Sequence, residues 1–131
     1  MGKPTYDDAR LVAEFARLAA ESGHSEAMDW IWSDQFLPDY DKFVKKYPLG
    51  SREHARINQV CSFYETLGAL WKYGLFSEDL LFDWLWISGP WDRLKGFALA
   101  QRKAAKNQSM YELFEAMAEA QRKLVAKFAV S

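Results

Sequence analysis

Cysteine is almost absent from this chain: Cys61 stands alone among 131 residues. One thiol can build neither an internal disulfide nor a multi-cysteine metal site, so packing alone must hold the fold. Histidine is nearly as scarce, with only His24 and His54. The sequence contains no H-E-x-x-H, no pair of E-x-x-H motifs, no glycine-rich phosphate loop and no G-x-S-x-G. The signatures of zinc hydrolases, di-iron bundles, nucleotide-binding loops and serine hydrolases are therefore missing, and no metal, cofactor or catalytic residue is expected. Charge of either sign is not in excess: 17 basic residues face 18 acidic ones, for a net charge of −1. Such a chain has no global field to draw in nucleic acid or an anionic membrane, and no nucleic-acid partner is expected. The longest uncharged apolar run, Trp84–Trp91, is far too short for a bilayer, so no transmembrane segment is expected. The N-terminal MGKPTYDDAR turns polar at once and lacks the apolar core of a signal peptide, which makes a reducing cytoplasm the expected compartment. Sustained alternation of apolar and polar residues is also missing, and with it any expectation of strands.

What the chain does have is apolar and aromatic residues at helical spacing. Hydrophobic residues make up 50% and aromatics 16%, enough to rule out disorder and fill one core without staples. The stretch Ser51–Gly74 organises the rest. Ser51 is a natural N-cap, and Gly74 sits where a left-handed stop belongs, with Leu75 placed to fold back on Leu70. Between them Ile57, Val60, Cys61, Phe63, Tyr64, Leu67, Leu70 and Trp71 recur at threes and fours. They cover roughly half the circumference, so this helix needs neighbours on more than one side.

The other segments read as helices that could supply them. Thr5 caps a first helix carrying Leu11, Val12, Phe15 and Leu18, ended by Ser22-Gly23. A second runs from Ser25 to Phe36 with Met28, Ile31, Trp32 and Phe36 inside and Trp30 to one side. Pro38 opens a short third helix with Tyr40, Phe43, Val44 and Tyr47 inward. Ser77 caps a fifth, SEDLLFDWLWI, broken at Ser88-Gly89-Pro90. The sixth starts at Pro90 or Trp91 and buries Trp91, Leu94, Phe97 and Ala98. Ser109 with Glu112 forms a capping box for the last, whose stripe is Phe114, Met117, Leu124, Val125 and Phe128. The expected architecture is one all-α domain over 1–131, a bundle of five to seven helices around a central helix at 51–73.

Two polar patterns stand out. Asn58, Glu65 and Lys72 lie at intervals of seven, flanking the small residues Cys61 and Gly68. This makes a shallow strip where another helix backbone could approach, and Glu65 is expected to pair with Arg102 as a structural ion pair. Arg17 and His24, with six residues between them, resemble the spacing of helical ribonuclease toxins, although Ser22-Gly23 interrupts the helix between the pair. His54, in the first turn of the central helix, is read as a surface histidine. In the fifth segment, Phe82 and Trp86 fall on the side away from Leu80, Trp84 and Ile87. With Phe76 they form the expected interaction surface, since aromatic residues anchor protein interfaces. The functional expectation is a non-catalytic helical interaction or oligomerisation module, binding a second copy or a helical partner. The alternative is the ribonuclease-like domain using Arg17 and His24.

The stretches LPDYDKFVKKYP, NQVCSFYETLGALWKYGLFSEDLL, Trp91, Arg102 and YELFEAMAE, centred on F-Y-E-x-L-G-x-L-x-x-x-G-L, resemble a bacterial family of small all-helical domains of unknown function. The resemblance runs from about Met28 to Ala118. It implies a cytosolic or membrane-proximal helical module and supplies no reaction. Some relatives carry a transmembrane helix ahead of the domain, and no such run is present in this sequence.

Overall fold

The computed structural model describes residues 3–130, with side chains through residue 127; Phe128, expected in the last stripe, lies outside the described side chains. Among the described residues the chain forms seven α-helices and no strand. They are α1 (Tyr6–Glu21), α2 (His24–Ile31), α3 (Tyr40–Lys46), α4 (Arg52–Lys72), α5 (Glu78–Trp84), α6 (Ser88–Ala104) and α7 (Glu112–Val130).

The central helix forms as its sequence dictates. Ser51 Oγ accepts from the His54 N–H at 3.2 Å. At the other end Gly74 takes φ +71°, and the Leu75 and Gly74 N–H groups donate to the Leu70 and Trp71 carbonyls, a complete Schellman stop. Leu75 folds back through its backbone only; its side chain stays in solvent. Ile57, Val60, Cys61, Tyr64 and Leu67 are all buried, against α7 on one side and α2 on another. The most extensive pairing is α4 with α7. There the Tyr64 ring stacks on Phe114 at 4.6 Å, and Trp91 of α6 meets Phe114 edge-on at 5.1 Å.

Some of the other helix ends depart from the sequence expectation. α2 stops at Ile31 instead of Phe36, because Arg93 of α6 donates from Nε to the Ile31 carbonyl and from Nη2 to the Ser33 carbonyl. Asp39, and not Pro38, begins α3, its carboxylate accepting from the Lys42 N–H. α5 ends at Trp84, and α6 already begins at Ser88. Gly89 and Pro90 therefore sit in its first turn, where a missing N–H loses nothing. Leu18 and Val125, both expected inside, are 50% and 60% exposed.

Three buried polar side chains tie the helices together. Asp8 completes a capping box with Thr5 and reaches across to accept from the Ser77 N–H at 2.8 Å, joining the starts of α1 and α5. The backbone N–H groups of Thr5 and Ser77 hold its carboxyl below the usual range. Gln121 of α7 serves the joint between α5 and α6. Its Oε1 accepts from the Ile87 and Ser88 N–H groups at 2.6 and 2.9 Å, and its Nε2 donates to the Leu85 carbonyl at 2.7 Å.

His54 is the third, and it is a correction: expected at the surface, it is 3% exposed. Its Nδ1 lies 3.4 Å from the Asn58 amide and its Nε2 3.2 Å from the Gln101 amide. Asn58 in turn accepts from the Tyr111 hydroxyl, and Gln101 bonds to that of Tyr40, so the network joins α3, α4, α6 and the entry to α7. A neutral imidazole, with one donor and one acceptor nitrogen, fits between two amides that can each turn either way. Burial lowers the pKa of His54, and that of His24 as well. A folded state that resists a proton the unfolded chain accepts near pH ~6.5 loses stability as pH falls through that value. The urea midpoint is therefore expected to drop between pH ~7.5 and ~5, and the drop to shrink in His54→Gln. Equal slopes in the two proteins would show that His54 titrates alike folded and unfolded.

Candidate functional site

The residues singled out from the sequence separate into three places. Phe76, expected on the surface, is fully buried and stacks on Trp84 at 6.3 Å. The correction follows from the short α5, which lays Phe76 beneath it. Phe82 is half-buried beside Trp71. Trp86 lies beyond the helix end, in the extended joint, and is 64% exposed. Its side is set by that joint and not by a helical wheel: Ile87 turns fully inward and Trp86 outward.

Trp86 has company that the sequence did not suggest. Its indole stacks on that of Trp32 with centroids 5.7 Å apart and planes within 6°. Trp32, expected inside, caps the end of α2 with helical backbone and is 46% exposed. Trp30 takes the inner role instead, meeting Phe36, Phe43 and Tyr47 edge-on. The Arg93 guanidinium lies 5.7 Å from the Trp32 ring centre and 5.2 Å from that of Phe36. Arg93 thus ends α2 and supports the pair at once. No sequence signal pointed to Arg93, because its partners are carbonyls far away in the chain.

Gly89 is what lets Trp86 lie flat. A Cβ there would sit 2.0 Å from the indole, whose outer ring is free to swing into solvent. Gly89→Ala is expected to unseat Trp86 from Trp32 while leaving the fold intact, visible as a weakened near-UV dichroism of the coupled indoles. An unchanged near-UV spectrum would mean that the pair does not depend on the bare Gly89.

Glu65 and Arg102 do not form the ion pair expected of them. Arg102 donates from Nη1 to Glu115 at 3.1 Å and from Nε to the Met110 carbonyl, while its Nη2 is buried without a partner among the described residues. Glu65 accepts from the Leu113 and Phe114 N–H groups at 3.1 and 2.9 Å, so it caps α7 from a helix remote in sequence. Burial pushes its carboxyl up, against the pull of those two donors. The expected Ser109–Glu112 box is not made, since Tyr111 at φ +60° intervenes and the Ser109 N–H donates to Asn107. The small-residue strip does receive a helix backbone: a Cβ on Gly68 would be 2.7 Å from Leu113 Cβ.

Arg17 and His24 line different hollows, which adjoin at Phe15 and Leu18. Arg17 is exposed and paired with Glu14, whereas the His24 ring lies 4.3 Å from Phe63. Cys61 is fully buried, which pushes its thiol well above the usual range. A thiol in that state is neither a nucleophile nor a metal ligand.

Fold and surface together define a compactly packed helical module with a stacked tryptophan pair on its outside. Among the described residues no helix is long and apolar enough to cross a membrane. The chain matches the family model "Domain of unknown function (DUF4760)" over residues 4–121, and so belongs to that family. The match takes in α1 and reaches Gln121, beyond the Met28–Ala118 stretch that carries the resemblance. No curated protein and no solved structure matches the chain.

Proposed function

We propose that this is a non-catalytic, single-domain oligomerisation module of the cytoplasm, in which a second copy of the chain docks on the Trp32–Trp86 face. The observation that carries the reading is the stacked pair itself. Two large rings are held parallel and exposed beside an arginine, and these are the residue types that dominate interface energetics. A flat aromatic face can be continued by its two-fold mate, as an isologous contact requires. A net charge of −1 offers little repulsion between copies. The lone, inert Cys61 suits a reducing compartment, and the bacterial setting comes from the family resemblance alone.

Sedimentation equilibrium tests this directly. The wild type is expected to dimerise, Trp86→Glu to be a folded monomer, and Gly89→Ala to dimerise more weakly. A wild-type monomer at every concentration, or a dimer indifferent to Trp86→Glu, defeats the proposal. The ribonuclease alternative, which uses Arg17 and His24, predicts instead RNA cleavage that is lost in His24→Ala.

A further inference from the structure

At the other end of α2 from the tryptophan pair, two hollows meet. The first, of about 210 Å³, lies between α1, α2 and α4, with Phe15, Leu18, Ala27, Val60 and Phe63 as its walls. The second, of about 320 Å³, is polar and lined by Arg52 and Arg56 opposite Glu26. Ser22 and Gln59 line both, so the two adjoin.

One face of α4 runs past both hollows. Arg52, Arg56, Gln59, Phe63 and Thr66 follow at helical spacing, grading from cationic through polar to apolar. Neither arginine has an ion-pair partner among the described residues. Two cations against the one carboxylate of Glu26 leave the polar hollow with a formal excess of one positive charge (2 − 1). The apolar slot is aromatic in character: Phe15 meets Phe63 edge-on at 5.9 Å, and His24 lies tilted over the same ring at 4.3 Å. His24 also lines the slot, and burial there lowers its pKa.

We infer that this cleft is a binding site for a small aromatic carboxylate, its ring in the slot beside Phe63 and its anionic end at Arg52 and Arg56. Size and charge both argue for it. A closed cavity of roughly 150 Å³ takes up benzene, so the slot has room for two fused rings. Apolar pockets with a few convergent polar groups are the usual form of small-molecule sites. Arginine is the side chain best suited to grip a planar carboxylate, through two parallel N–H donors.

The probes are 2-naphthoate, its neutral analogue 2-naphthylmethanol, and octanoate, each titrated into the full chain and followed by amide chemical shifts. Binding of 2-naphthoate is expected to shift the amides of Phe15, His24, Gln59 and Phe63, with an affinity about tenfold above that of the alcohol, the equivalent of one charge-assisted hydrogen bond. Arg52→Gln combined with Arg56→Gln should erase that margin and leave the alcohol's affinity unchanged. Thr66→Trp, at an exposed position on the slot's rim, should block both ligands with helical dichroism retained. Trp86→Glu should alter neither, which separates this site from the dimer face. The inference is overturned if no localised shifts arise at millimolar 2-naphthoate, if acid and alcohol bind alike, or if octanoate binds more tightly than 2-naphthoate.

Discussion

Gln121→Leu is expected to cost about 3–5 kcal/mol, a large share of the ~5–15 kcal/mol that a domain of this size typically has. The leucine fills the space but strands the Ile87 and Ser88 N–H groups and the Leu85 carbonyl, all now served by one 5%-exposed amide. Each stranded backbone group loses about 1–3 kcal/mol, and access of water beside exposed Trp86 keeps the sum near the lower bound. The loss should also be local before it is global: amide exchange at Ile87 and Ser88 should accelerate ahead of α4. Gln121→Glu is the informative companion. Its carboxylate can still accept from both N–H groups, but it faces the Leu85 carbonyl without a proton. Lowering the pH should restore that donor and part of the stability. A Gln121→Leu protein within about 1 kcal/mol of wild type in urea would show that the joint repacks without its amide.

Gly68→Ala should be destabilising by about 2–3 kcal/mol, against the sign that helix propensity gives. In the middle of an exposed helix this exchange gains roughly 1 kcal/mol. Here the new methyl would meet Leu113 at Cβ, carbonyl carbon and oxygen, at 2.7, 3.1 and 3.2 Å. None of these is the movable end of a side chain, so α7 as a whole must retreat from α4. Retreat also pulls the Leu113 and Phe114 N–H groups away from Glu65, which caps them from the preceding turn of α4. The two effects are coupled, so Gly68→Ala combined with Glu65→Ala should lose less than the sum of the single losses. Strict additivity in thermal or urea unfolding would show that cap and close approach are independent. A stabilised Gly68→Ala would mean that the helices separate at no cost.

Much of the fold was legible because it is written locally. Ser51 and Gly74 mark the ends of α4 by hydrogen bonds to their own neighbours in sequence, and the apolar spacing of Ile57 to Leu67 needs only the helical period to be read. Thr5 and Ser77 likewise announce helices that each begins. The small residues Cys61 and Gly68 signalled a close helix approach, although they could not say that α7 would be the one to arrive.

The candidate site was legible only in part, for the opposite reason. Trp86 stood out by its hydrophobicity, but the wheel that set it beside Phe82 presumed a helix which Gln121, 35 residues further on (121 − 86), brings to an end. The early end of α2 was hidden because the acceptors of Arg93, at Ile31 and Ser33, are backbone groups that every residue carries. Glu65 looked like half of an ion pair, since complementary charges can be read from a sequence while the free N–H groups of a distant helix cannot. Period, caps and stops thus came from the chain alone: they are contacts within a few residues, where geometry is set by the helix itself. Which helix ends are cut short, which tryptophan faces out and what Glu65 holds were decided by tertiary structure. Each depends on a polar side chain meeting anonymous backbone atoms that only folding brings within reach.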